Sequence, residues 1–139
     1  MEKLIHFKPS LITKYFFPND VGWPIQINHG RCFMWALYCH EIFDGTILCS
    51  NLCHAFIKHG NRYYDAEFLR GVEDWHELTA THYIPSAITF HSLDGFKQEW
   101  DKNPQNYGMS WKEMTDFAQC VLPILREEIG RLRSIAHHN

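Results

Sequence analysis

Three residues that together could supply a nucleophile, a base and an orienting acid follow one another through the middle of this 139-residue chain: Cys32, His54 and Asp65. Cys32 opens the run Cys32-Phe33-Met34-Trp35-Ala36-Leu37-Tyr38-Cys39, which is apolar on nearly every side and follows Asn28 and Gly30. A helix apolar all round must be buried, and one built from this run starts within a residue or two of Cys32. A thiol there meets the positive end of the helix dipole and unpaired backbone N–H groups, both of which favour the nucleophilic thiolate. An imidazole on a neighbouring strand can take the thiol proton or hold an ion pair with the thiolate. A carboxylate on the next strand can fix the tautomer of that imidazole.

The elements that must position these groups can be placed on paper. Ala55-Phe56-Ile57-Lys58 and Arg62-Tyr63-Tyr64-Asp65 flank His59-Gly60-Asn61, and Gly-Asn is a good two-residue hairpin turn. With Gly60-Asn61 as the turn, His59 pairs with Arg62, Phe56 with Asp65 and His54 with Glu67. Cross-strand partners share a face, as do residues two apart along a strand. His54, Phe56, Asp65 and Glu67 therefore fall on one side, Asp65 diagonal to His54 and Glu67 directly opposite. Either acid can reach the imidazole in this register, and a slip of one residue would remove both.

These segments resemble a known family. Gly30-Arg31-Cys32-Phe33-Met34-Trp35-Ala36-Leu37, followed by His54-Ala55-Phe56-Ile57 and Arg62-Tyr63-Tyr64-Asp65-Ala66, is similar to the papain-like cysteine hydrolases in the broad sense, nearest to their transglutaminase-like and NlpC/P60-like branches. The likeness covers about residues 26 to 67. It implies an α+β fold in which a helix opened by the nucleophile packs on an antiparallel sheet. It assigns Cys32 as nucleophile, His54 as base and Asp65 as orienting acid, and it implies an amide, isopeptide or ester substrate within a protein or peptide. Gln26, six residues before Cys32, resembles the oxyanion-donating glutamine of papain-like peptidases, a feature that transglutaminase-like enzymes do not share. Cys32 and His54 are only 22 positions apart, which leaves no room for the family's usual substrate loops.

Other chemistries compete for the same residues. Cys49-x-x-x-Cys53-His54, with His59 or Cys39-His40 nearby, offers sulfur and nitrogen to zinc, yet paired clusters at the usual spacing are missing, and His54 and His59 have opposite strand parity. No metal or cofactor is therefore expected. A third possibility is a binding or inhibitor domain that keeps the scaffold without the reaction. The aromatics Trp75, Tyr83, Phe90, Phe96, Trp100 and Tyr107 offer such a domain a surface.

Composition narrows the field further. At 45% hydrophobic and 21% charged residues the chain is a globular type, and its length fits one domain, here residues 1–139. The net charge of −3, with no dense basic block, argues against nucleic acid as partner. The longest stretch without Asp, Glu, Lys or Arg, Leu78 to Leu93, contains Pro85 and is too polar to span a membrane. Five cysteines and no apolar leader point to reduced thiols in the cytoplasm.

The remaining elements are expected as follows. Leu11 to Phe16 reads as a helical turn, Thr46 to Cys49 as extended, Val72 to Leu78 as a further turn and Tyr83 to Phe90 as a strand broken at Pro85. Ser92 or Asp94 can cap a short helix through Trp100. Ser110 and Glu113 form a capping box ahead of a long helix whose stripe includes Trp111, Met114, Ala118, Val121 and Leu125, and Pro123 should kink or interrupt it.

Overall fold

A computed structural model describes residues 7–16, 32–51, 54–78, 88–102 and 110–138. The helices are α1 (Ser10–Phe16), α2 (Cys32–Ile42), α3 (Leu93–Lys102) and α4 (Trp111–His138). The strands are β1 (Thr46–Asn51), β2 (His54–His59), β3 (Arg62–Tyr64) and β4 (Thr89–His91), and they form one antiparallel sheet in the order β3-β2-β1-β4. The architecture is α+β, with α2 packed on the sheet, as the sequence implies.

α2 begins at Cys32 and is buried on every side: Cys32 through Cys39 and Ile42 all lie in the interior. Leu48, Ala55 and Ile57 supply the sheet face beneath it. Strand alternation sends His54, Phe56 and Lys58 to the opposite face, where Cys49, Phe56, Val72, Trp75 and Leu78 make a second, smaller cluster. Around α2, Phe33 packs against Phe96 and Trp100, with ring centroids 5.0 and 5.1 Å away, and Trp100 meets Trp111 at 5.7 Å. Met114, Ala118, Val121 and Leu125 are the buried stripe of α4, at steps of four, three and four residues. Trp35 Nε1 donates to Thr13 Oγ1 at 2.9 Å and ties α1 to the same core. Arg126 donates to the Glu41 carbonyl near the C-terminal end of α2, where a cation suits the helix dipole.

Local chemistry sets the boundaries. Ser110 Oγ accepts the Glu113 N–H at 3.1 Å, which opens α4 as the capping box predicts, and Ser92 Oγ accepts the Gly95 N–H at 3.1 Å to open α3. Asp74 accepts the His76 N–H and starts a 3₁₀ turn over Trp75–Glu77. Two corrections to the expected elements follow. α4 runs as one helix through Pro123 to His138, so the proline does not interrupt it. The first extended stretch reaches Asn51 and pairs with β2 along its whole length, Thr46 with His59 through Asn51 with His54. Within the expected Tyr83–Phe90 strand only Ile88, Thr89 and Phe90 are described, and β4 continues from Thr89 to His91.

Candidate active site

The β2–β3 hairpin places the base and the acid. Gly60 takes φ of 61°, the left-handed conformation that a tight two-residue turn needs, and the register is the expected one: His59 with Arg62, Lys58 with Tyr63, Ile57 with Tyr64. The ladder then stops. Phe56 and Asp65 do not pair, nor do His54 and Glu67, which corrects the register drawn beyond Tyr64. The cause is Asp65 itself. Its Oδ1 accepts the backbone N–H groups of Glu67 (2.9 Å) and Phe68 (3.0 Å), and this Asx-type turn bends the chain out of the sheet. Beyond the turn, Arg62 donates to the carbonyls of Arg70 and Gly71, and Val72 returns to bridge Tyr63. Gly71 has φ of 80° and lies against the Tyr64 ring, where a Cβ would stand 2.6 Å from Cε1, so only glycine closes this loop.

With Oδ1 held by the turn, Asp65 Oδ2 is left for the imidazole. It lies 3.0 Å from His54 Nε2, with both side chains almost wholly buried. Asp65, not Glu67, is thus the acid that meets His54, and Glu67 enters through its backbone N–H.

The interrupted ladder also admits the sulfur. In the β2–β3 register Ile57 and His59 direct their N–H groups toward β3, so Ala55, two residues earlier, does the same. No β3 residue stands there, and Cys32 Sγ accepts the Ala55 N–H instead at 3.4 Å. Cys32 therefore combines the α2 N-terminus with a second backbone donor aimed at its sulfur. Side-chain patterning could not reveal this donor, because it depends on which strand edge an N–H faces.

Burial is the largest influence on the His54 imidazole and lowers its proton affinity. Hydrogen bonding to Asp65 and Cys32, together with the charges of both, outweighs burial and pushes the pKa up from 6.5 to about 9. Nε2 is committed to Asp65, and Nδ1, also buried, makes no well-formed hydrogen bond among the described residues. Cys32 is among the groups that raise the proton affinity of the ring, so its sulfur lies close to the imidazole. The imidazole is thus held in its protonated form between the Asp65 carboxylate and the Cys32 sulfur.

Gln26 lies outside the described residues, as does Cys53 of the zinc set. Cys49 is buried on β1 with its thiol pushed up to about 12, mainly by burial, and Cys39 is buried in α2 with its thiol raised well above the ordinary range for the same reason. Neither is poised as a nucleophile. His59 stacks on Phe7 at 4.1 Å, away from the His54 face. Among the described residues no three His, Cys, Asp or Glu side chains form a group that could hold a metal ion. Of the aromatics singled out, Trp75, Phe96 and Trp100 are buried and Phe90 is exposed, while Tyr83 and Tyr107 lie outside the described residues. No helix of the described chain is long and apolar enough to cross a membrane.

Comparison with protein-family models, with curated proteins and with solved structures gives no match for this chain.

Proposed function

We propose that the chain is a thiol-dependent hydrolase or acyl transferase, of papain-like kind in the broad sense, acting on an amide, isopeptide or ester in a protein or peptide. The observation that carries this reading is the buried 3.0 Å pair of His54 Nε2 and Asp65 Oδ2, beside a cysteine that opens a helix and accepts a strand N–H. In the reaction, Cys32 Sγ bonds to the carbonyl carbon and the carbonyl electrons move to oxygen. That oxyanion forms within reach of the first N–H groups of α2. Its collapse breaks the bond to the leaving group, which takes the proton from His54 Nδ1. Neutral His54 then accepts a proton from water or an amine as that group attacks the thioester, and the thiolate departs. Asp65 stabilises the imidazolium and holds Nε2 throughout.

A second reading has one observation in its favour: Cys32, His54 and Asp65 expose 4%, 2% and 0% of their surfaces. A binding domain that keeps the scaffold without the reaction would tolerate such burial. One experiment separates the two readings. The protein is treated with p-nitrophenyl acetate, or with iodoacetamide at mildly acidic pH, and the modified thiol is located by peptide mass spectrometry. Modification concentrated on Cys32, and slowed by His54→Ala, supports the enzyme. Equal modification of all five thiols, or indifference to His54→Ala, refutes it and leaves the binding domain.

A further inference from the structure

The sheet ends at β4 in an edge whose backbone direction follows strand by strand from the register. Ile57 and His59 turn their N–H and C=O groups toward β3, so His54, Phe56 and Lys58 turn theirs toward β1. Asn51, Cys49 and Ile47 pair with them, which leaves Leu48 and Ser50 to bond to β4 through His91 and Thr89. The same alternation turns the Tyr63 groups away from β2, and there they meet Val72 in two bonds of 2.8 Å. On β4 it turns the N–H and C=O of Phe90 away from β1. No further strand pairs with that edge among the described residues. Thr89 and Phe90 are both exposed.

Solitary edges are commonly guarded by lysine, other charges or proline. Ile88-Thr89-Phe90-His91 carries none of these. Apolar surface gathers there instead. Phe90 is 50% exposed, Ile47 lies diagonal to it on β1 at 42%, and Leu93 opens α3 at 41%; these are three of the four large apolar side chains exposed among the described residues. A second, antiparallel copy of the same edge suits it. Turned about a two-fold axis at Phe90, each Phe90 N–H donates to the other Phe90 C=O, so both outward groups are used. The two Phe90 side chains then stand directly across from each other on one face, an aromatic pair. On the other face each Thr89 stands across from the second copy's His91. Lys58, whose Nζ lies 5.5 Å from the Phe90 ring centre of its own chain, sits two strands in from the edge, so no ammonium is brought against another. We propose that this chain associates with a second copy of itself through β4, the two sheets joining into one. Cys32 accepts its strand N–H at the β3 side of β2, so the seam leaves the site clear and the association does not depend on the thiol chemistry.

A pair of backbone bonds and a narrow apolar seam fall short of the roughly 1,200 Å² buried in stable complexes, so the dimer is a weak one, with Kd of roughly 10 μM to 1 mM. Light scattering behind size exclusion should report the 16.5 kDa chain when dilute and an average mass that climbs toward twice that value across this range. Over the same range the Phe90 amide should gain protection from hydrogen exchange, while the Thr89 and His91 amides, already turned toward β1, change little. Thr89→Lys should raise Kd roughly tenfold and Phe90→Ser severalfold, since symmetry counts each substitution twice. Iodoacetamide labelling of Cys32 should be the same in both variants. A hydrogen-bonded antiparallel pair sets its Cα atoms about 5.5 Å apart, within disulfide reach. With the exposed Cys120 replaced by serine, Phe90→Cys should therefore give a disulfide-linked dimer in oxidised glutathione, whereas Ile124→Cys, at another exposed position, should not. A monomeric mass throughout the range, a Phe90 amide that exchanges alike at both ends of it, or a dimer indifferent to Thr89→Lys and Phe90→Ser overturns the inference. So does linkage as fast in Ile124→Cys as in Phe90→Cys.

Discussion

Replacing Asp65 with Asn isolates the charge from the geometry. The carboxylate has two separate tasks: Oδ1 accepts the N–H groups of Glu67 and Phe68, and Oδ2 meets His54 Nε2 at 3.0 Å. In Asp65→Asn only one oxygen remains, and the two backbone donors fix it at the Oδ1 position. The amide NH₂ must then point at His54. Two donors cannot face each other, so Nε2 becomes a lone-pair acceptor and the ring proton moves to Nδ1, on the side of the thiol. Such a ring cannot also be an imidazolium. Burial, already the largest influence on His54, is then opposed by far less, and the pKa falls from about 9 to below its ordinary 6.5. A fall of that size is worth about 3 kcal/mol, a factor of a few hundred in the ratio of imidazolium to imidazole.

The expected outcome is a loss of roughly 100-fold in the rate of Cys32 alkylation at pH 6, with circular dichroism and melting temperature nearly unchanged because the Asx turn survives. The ¹⁵N shifts of the His54 ring should report an imidazolium at pH 7.5 in the parent and a neutral ring in Asp65→Asn. Glu67→Gln is the matched control: it keeps the backbone N–H that Asp65 accepts and should change the rate by less than about threefold, the scale of a weak surface interaction. An alkylation rate and pH profile unaffected by Asp65→Asn would refute the assignment of Asp65. Equal losses in Asp65→Asn and Glu67→Gln would mean that negative charge near the imidazole, and not the Asp65 contact in particular, is what matters.

Further outcomes follow from the same contacts. His54, raised to about 9 in the folded chain from an ordinary 6.5, stabilises the fold fully below about pH 6.5 and progressively less as pH rises through 9, whereas His91, lowered mainly by burial, costs stability as pH falls below 6.5; a urea-midpoint profile should show both limbs, with the alkaline one absent in His54→Phe/Asp65→Asn. That double variant removes both buried charges and keeps the Asx oxygen but leaves the new amide NH₂ facing a phenyl ring, so it should lose no more than the roughly 1–3 kcal/mol of one unpaired buried donor while losing Cys32 reactivity; a larger loss would make the pair a stability element instead. Excess chelator should leave the melting temperature where it is, and stoichiometric zinc by metal analysis would move Cys49 and His54 into a structural site.

What the sequence shows and what it hides divide along physical lines. The start of α2 is legible because an all-round apolar run following Asn28 and Gly30 has few places to begin. The β2–β3 register is legible because Gly60-Asn61 specifies a turn type and the turn type specifies the pairs. The stripe of α4 and the Ser110 cap follow from helical spacing and local hydrogen bonding. The pairing of β1 with β2 leaves no comparable trace, since no Gly or Asn stands between Asn51 and His54 to announce a turn. The exit of the chain at Asp65 is hidden for a different reason. Strand pairing and the Asx turn compete for the same backbone, and the turn wins through side-chain contacts that alternation does not encode.

The departure at Asp65 links the fold to the chemistry. Had β3 continued in register, an Ala66 backbone group would have faced Ala55 and filled the position now held by Cys32 Sγ. The Asx turn ends the ladder, and by doing so it brings Oδ2 to His54 and leaves an N–H for the sulfur. One carboxylate therefore both opens the slot and charges the ring inside it. Such an arrangement is a poor route to stability, because taking an imidazolium and a carboxylate out of water costs several kcal/mol that well-packed apolar side chains would not incur. A core that is otherwise filled by Phe33, Trp35, Leu37, Ile57 and Trp100 has no shortage of such side chains. The ion pair sits beside the place where the helix N-terminus, the strand N–H and the cysteine sulfur converge, an arrangement that the thiol chemistry proposed above would use in full.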